Sequence, residues 1–416
     1  MIRRLFKGDK VVWIVFLFLC LISIVEVFSA SGILTYKTGD YWGPIAQHAR
    51  YMLLGVAAVM VVHKLPCKWF RFVPALLWPS SFVLLILAMF WGEKVNDAGR
   101  WLSFMGWTIQ PSEFAKLALV SSIALILSKT QEEEGTSRNT FKYILMVSLP
   151  LCLLIAPENF STAAMLLGIT ILMMYVGRVP FRQWGRMVGF GMLLVGFLGI
   201  VAWKIPNDVL DKVPMMHRVT TWKNRVVDFM DDKKVAPAEY DIFNEDAQVG
   251  HARIAIATTP IWGKGPGNSV ERDFLSQAFS DFIYAIVIEE LGLLGGGFLA
   301  FLYIILLLRA GRIAQRSEKK YYSFLVMGLA LLLVSQALVN MMVAVGLFPV
   351  TGQPLPLISK GGTSTVITCL YIGMILGISR EVEEQKDKAH EAALDEELSN
   401  EEEQVQETGT QIINVN

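Results

Sequence analysis

Ser276-Gln277-Ala278-Phe279-Ser280-Asp281-Phe282-Ile283-Tyr284 opens the stretch that decides the fold. Behind it the chain runs apolar to about Leu308, interrupted only by the acidic pair Glu289 and Glu290. Such a run can cross hydrocarbon, for which roughly 20 apolar residues suffice. A charge inside it is costly, about 2.5–3.5 kcal/mol for an Asp at the centre of a span. Asp281 stands at the mouth, where water and lipid head groups lower that cost. A carboxylate there can stay ionised and accept a proton from a hydroxyl.

The rest of the chain is built in the same way. Of its 416 residues, 54% are hydrophobic and 18% charged, and the apolar residues come in long blocks rather than alternating short strands. The blocks fall at 11–31, 48–63, 72–92, 111–128, 142–157, 161–177, 187–204, 282–308, 321–346 and 361–379. They predict an all-α polytopic membrane protein with about ten transmembrane helices. The 37 basic residues balance the 37 acidic ones. No basic stripe with interleaved aromatics occurs, which argues against a nucleic-acid partner. Cys20, Cys67, Cys152 and Cys369 lie far apart in or beside apolar blocks, and read as packing residues rather than disulfides or metal ligands. The basic N-terminus runs into a long apolar block without a cleavage pattern, so that block reads as the first span.

Basic residues mark every second short connection: Arg3, Arg4, Lys7 and Lys10; then Lys64, Lys68 and Arg71; Lys129, Arg138 and Lys142; Arg178, Arg182 and Arg186; and Arg309, Arg312, Arg316, Lys319 and Lys320. The positive-inside rule then puts both termini in the cytoplasm. The long connection at 205–281, between spans seven and eight, falls outside. It carries Trp222, Tyr240, Phe243, Trp262 and Phe274, and reads as a loop packed on the outer membrane face. After Arg380 the chain becomes rich in Glu, Gln and Asn and has little to bury. A membrane domain over 1–380 and a solvated, disordered acidic tail over 381–416 are expected.

Three polar motifs share the outer side. The first is Asn96-Asp97-Ala98-Gly99-Arg100-Trp101, followed by Gln110-Pro111-Ser112-Glu113-Phe114-Ala115-Lys116. Pro111 suits a first helical turn, with Gln110 or Ser112 as its cap. Glu113 and Lys116 are three apart and share a helix face. They read either as a structural ion pair or as a polar cavity wall in which Lys116 meets an anionic ligand. The second is Gly263-Lys264-Gly265-Pro266-Gly267-Asn268-Ser269, either a turn or a backbone cradle for phosphate. Glu289 lies two turns beyond Asp281, which predicts one face for both. The third, residues 349–362, is dense in Pro and Gly between two apolar blocks and reads as a re-entrant cavity wall.

No HExxH, GxSxG or paired-histidine pattern occurs, so hydrolytic signatures are absent. The two halves do not mirror each other as a transporter's inverted repeats would. Taken in order, Val27-Phe28-Ser29-Ala30-Ser31, Gly99-Arg100-Trp101-Leu102, Gln110-Pro111-Ser112-Glu113 through Lys116, Asp281-Phe282-Ile283-Tyr284 through Glu289-Glu290-Leu291-Gly292, and the 349–362 segment resemble the SEDS family (shape, elongation, division and sporulation). The resemblance spans about residues 10–380. It implies a ten-span peptidoglycan glycosyltransferase of the cytoplasmic (inner) membrane, acting on lipid II at the outer side. The division-type FtsW branch is favoured over the elongation-type RodA branch. A class B penicillin-binding transpeptidase and other division proteins are the implied partners. The family's essential loop Asp maps onto Asp281, and its span-four Glu and Lys onto Glu113 and Lys116.

In that reading Asp281 is the general base on an acceptor sugar's 4-hydroxyl, and undecaprenyl pyrophosphate leaves the lipid-linked donor with inversion. Lys116 and Arg100 are the cations expected near the pyrophosphate, and Ser269, Glu289, Glu113 and Lys360 complete the substrate-binding set. A divalent cation such as Mg2+ or Mn2+ would help the pyrophosphate leave, although no ligand cluster in the sequence demands one. A lipid II flippase and a scaffold that only recruits a transpeptidase are the rival readings. The chain departs from the family pattern at Leu357, at Lys360, at Pro157-Glu158-Asn159 and in the residues just before Asp281.

Overall fold

A computed structural model describes residues 6–30, 42–95, 98–104, 107–133, 135–186, 245–275 and 280–413, with isolated positions between 188 and 223. Ten helices carry the argument: α1 (Lys10–Ala30), α2 (Trp42–Lys64), α3 (Val73–Trp91), α4 (Pro111–Thr130), α5 (Thr140–Ile155), α6 (Phe160–Val176), α7 (Glu245–Ala257), α8 (Ile283–Arg316), α9 (Lys320–Ala344) and α10 (Thr363–Ile413). Among the described residues, seven helices are long and apolar enough to cross a membrane. Two shorter apolar helices, Thr140–Ile155 and Phe160–Val176, fill the fifth and sixth expected positions. The block expected at 187–204 lies almost wholly outside the described residues, as does most of the 205–281 connection.

Local sequence explains the short pair. Helix α5 carries Pro150 within it and stops before Pro157. The Asn159 side chain then accepts from the Thr162 N–H (3.1 Å) and caps α6, satisfying one of its orphan donors. Between α3 and α4 the chain forms a small antiparallel sheet of Glu93–Val95 (β1), Ala98–Phe104 (β2) and Trp107–Ile109 (β3), in the order β1-β2-β3. Hydrophobic blocks alone gave no sign of it.

Helices α4, α9 and α10 form the interior, with 78, 67 and 72% of their span windows buried, against 22% for α2 and α3. The outer helices turn large apolar side chains such as Leu53 and Leu76 outward, as a hydrocarbon solvent permits. Helix α2 lies close against α10: a Cβ on Gly55 would stand 2.6 Å from Cys369 Sγ, the small-residue contact by which helices approach in lipid. All four cysteines are buried and free.

The last helix differs from the expected tail. It continues beyond its span to Ile413 as one 51-residue helix. Glu, Gln, Lys and Ala are strong helix formers, so a polar segment can prolong a span without a face to bury.

Candidate active site

Residues 349–362 bring the polar groups together. Prolines deny this segment helical hydrogen bonds, and backbone at membrane depth must find partners inside the protein. Buried side chains supply them. Asn340 Nδ2 donates to the Gln353 carbonyl (2.8 Å), Gln336 Nε2 to that of Pro354 (2.9 Å) and Ser23 Oγ to that of Ile358 (3.2 Å). The Tyr303 hydroxyl donates to the Pro356 carbonyl. Gln353 Nε2 in turn reaches Thr162 Oγ1 at 2.6 Å. Helices α1, α6, α8 and α9 thus hold one irregular segment, as expected of a re-entrant wall.

Asp281 sits in the turn before α8, with Phe282 as the residue preceding the helix. Its backbone is fixed from two sides. Asn340 Nδ2 donates to the Asp281 carbonyl (2.9 Å), and Ser359 Oγ to the Ser280 carbonyl (2.7 Å). Ser280 Oγ donates to Asp281 Oδ1 (2.7 Å), and the residue is half-buried. Lys360 follows Ser359 in the chain. It is half-buried, and burial holds its ammonium below the usual lysine range. Gln336 and Asn340 are not marked by the sequence motifs, and Gln353 and Ser359 are marked only as members of the 349–362 segment. The spacing of Gln336 and Asn340 by four residues on an apolar span was the available signal, since it puts both on one helix face.

Lys116 and Glu113 are buried together in α4. The Lys116 side chain is 1% exposed and that of Glu113 3%, so neither lines an open cavity. Lys116 Nζ pairs with Glu113 at 2.6 Å and donates to Gln336 Oε1 at 3.0 Å. Gln336 then carries the connection to Pro354 in the re-entrant segment. Pro111 does open α4, and Gln110 stands at the N-cap position without a side-chain bond to the helix.

The glycine-rich motif at 263–269 lies against α8. It wraps protein carboxylates. Gly292 breaks α8 with φ 78° and ψ 176°. The carbonyls freed by the break accept from loop N–H groups, Glu289 O from Lys264 and Glu290 O from Gly265, each at 2.9 Å. A Cβ on Gly263 would lie 2.2 Å from the Glu290 carbonyl, and one on Gly292 2.2 Å from that of Ile261. Only glycine allows this approach. The buried Glu289 carboxylate pairs with Lys264 Nζ (2.6 Å), accepts from the Val270 N–H (3.0 Å) and takes the Ser269 hydroxyl. Glu290 accepts from the Gly267 N–H (3.0 Å) and the Ser29 hydroxyl, while Arg272 Nη1 reaches the Ser29 carbonyl at 3.0 Å. Ser269 and Glu289 thus sit in a clasp made of the protein's own groups. The expectation that Glu289 shares a helix face with Asp281 fails because Asp281 precedes the helix.

Arg100 lies on β2, and its side chain is outside the described residues. Strand β3 meets the start of α10, where Thr363 Oγ1 donates to the Thr108 carbonyl (3.1 Å). The sheet thus borders the start of α10, three residues beyond Lys360. Among the described residues no three His, Cys, Asp or Glu side chains gather to hold a metal ion.

This architecture defines a polytopic helical membrane protein whose buried polar network converges on one half-buried carboxylate. The family model FtsW/RodA/SpoVE, described as cell cycle protein, matches residues 9–384, and the chain belongs to that family. It is an integral membrane protein. A relative from Geobacter metallireducens named probable peptidoglycan glycosyltransferase FtsW is 30% identical, over 91% of this chain and 96% of its own. One of the same name from Alcanivorax borkumensis is 32% identical, over 90 and 94%. The stage V sporulation protein E of Bacillus subtilis is 29% identical, over 89 and 97%. The fold matches a chain from a peptidoglycan synthase complex described as coordinating polymerization and crosslinking, with a TM-score of 0.69 and 22% identity over 90% of this chain and 98% of that one. It also matches the Rod shape determining protein RodA of Thermus thermophilus, with a TM-score of 0.61 and 21% identity over 90 and 97%.

Proposed function

We propose that this chain is a peptidoglycan glycosyltransferase that extends glycan strands from lipid II, serving septal wall synthesis. The observation that carries the reading is the Asp281 turn. A carboxylate stands at the mouth of the bundle on backbone held by Asn340 and Ser359. Relatives covering nine-tenths of the chain bear the name of that activity.

Asp281 takes the proton from the acceptor's 4-hydroxyl as that oxygen forms a bond to the donor's anomeric carbon. The bond from that carbon to the pyrophosphate oxygen breaks on the opposite face, which gives a β-1,4 linkage. The leaving group carries negative charge into a poorly hydrated mouth, where a nearby cation stabilises it. We assign this role to Lys360, the residue after Ser359, with Arg100 of β2 as a second candidate. Lys116 and Glu113 act at a distance. They hold Gln336, and through it the re-entrant segment that positions Asp281.

Both termini face the cytoplasm and the 205–281 connection lies outside, as the alternating basic loops support. A class B penicillin-binding transpeptidase is the proposed partner. The test is polymerisation of purified lipid II by the purified chain with its partner. Asp281→Asn should yield no glycan polymer while keeping the wild-type melting temperature. Near-normal polymer from that variant would overturn the assignment, and lipid II transfer across vesicles without polymer would favour the flippase.

A further inference from the structure

The far end of α6 carries a second feature. This helix begins beside the re-entrant segment, where Thr162 meets Gln353, and ends at Val176. At 1.5 Å per residue that end lies about 25 Å away, toward the opposite membrane face. The Gly177 N–H donates to the Met173 carbonyl (2.8 Å) and the Val179 N–H to that of Met174 (3.0 Å), which closes the helix. The residue in the left-handed conformation is Arg178, with φ 56°. Glycine or asparagine usually takes that position. A strained residue that persists invites a use for its side chain.

Arg178 lines a cleft of ≈ 470 Å3 with Tyr175, Val176, Val179, Phe181 and Trp184. The Phe181 and Trp184 rings meet edge to face at 4.6 Å, and Trp184 Nε1 donates to the Val179 carbonyl (3.2 Å), which fixes that wall. Tyr175 and Phe181 remain 69 and 70% exposed. Arg178, Arg182 and Arg186 are exposed, and none has a carboxylate partner among the described residues.

We propose that this cleft binds the head group of an anionic phospholipid in the leaflet opposite the candidate active site. Guanidinium groups bind phosphate oxygens in a bidentate fork. Exposed aromatic rings at a helix end are at home at the head-group level. Basic pockets at the cytoplasmic ends of spans hold such lipids by the same chemistry. A free phosphate would use the arginines alone and leave the aromatic walls bare, so the lipid is the occupant that fits the whole cleft.

Native mass spectrometry of the full chain, released from micelles supplied with phosphatidylglycerol, phosphatidylcholine or inorganic phosphate, tests this. Phosphatidylglycerol should be retained over phosphatidylcholine. Retention should fall about fivefold for each arginine removed in Arg178→Gln, Arg182→Gln and Arg186→Gln. Arg178→Gly relieves the backbone strain, so its melting temperature in neutral detergent should hold or rise while lipid retention falls. Equal retention of the two lipids would overturn the proposal, as would phosphatidylglycerol retention unchanged in the triple Gln variant. Displacement of the lipid by inorganic phosphate would reduce the cleft to a phosphate site. An equal loss from Arg138→Gln, on another basic loop, would reduce the effect to diffuse charge.

Discussion

Replacing Lys116 with Met separates a buried structural pair from a substrate contact. The variant leaves the Glu113 carboxylate, 3% exposed, without the ammonium that now stands 2.6 Å away. Breaking a buried pair from one side costs about 3–5 kcal/mol. At roughly 2 °C per kcal/mol for a long chain, the melting temperature should fall by about 6–10 °C. Glu113→Leu combined with Lys116→Met removes both charges, and apolar replacements of buried pairs are often neutral. What remains lost is the 3.0 Å bond to Gln336 Oε1, worth about 1 kcal/mol. The double variant should therefore recover most of the lost stability. Its glycan yield on lipid II should recover in parallel, because Gln336 keeps its bond to Pro354. Thermal unfolding in detergent and polymerisation, read on the same preparations, decide the matter. A Lys116→Met protein of wild-type stability without activity would refute the positioning role and restore a direct contact with substrate. A double variant no more stable than the single would refute the ion-pair accounting.

Gly292→Ala should prevent the clasp from closing, since the new Cβ would lie 2.2 Å from the Ile261 carbonyl at a φ of 78°. Lower yield of folded protein on size exclusion is the expected result, and a normally folded variant would contradict the clasp. Truncation after residue 384 should leave polymerisation intact, because among the described residues the ion pairs of the α10 extension end at Glu384, paired with Lys7 at 3.0 Å. An inactive but membrane-inserted truncation would make the tail part of the catalytic unit. Cysteines introduced at Asp208 or Glu239 should react with an impermeant reagent in intact cells, whereas labelling only after lysis would invert the proposed orientation.

Amino-acid order alone determined the class. Hydrocarbon imposes runs of about 20 apolar residues on any spanning helix, so the spans are legible one by one, without knowledge of their neighbours. Asp281 was legible for the same reason: a carboxylate at the mouth of an apolar run is conspicuous. The short antiparallel sheet before α4 was not, because strand pairing depends on a partner strand and the apolar blocks do not encode it. The partners of Lys116, Ser269 and Glu289 were decided only by the tertiary structure. In sequence, an ammonium meant for a ligand and one meant for Gln336, 220 residues away, look alike. A glycine-rich turn reads equally as a cradle for phosphate or for the protein's own carboxylates. Which it holds depends on what the fold brings within hydrogen-bond distance, and here Gly292 breaks α8 and exposes two carbonyls that the loop must satisfy. Long-range partners set the surroundings of Lys116 and Glu289, because a low dielectric makes a buried charge costly without one.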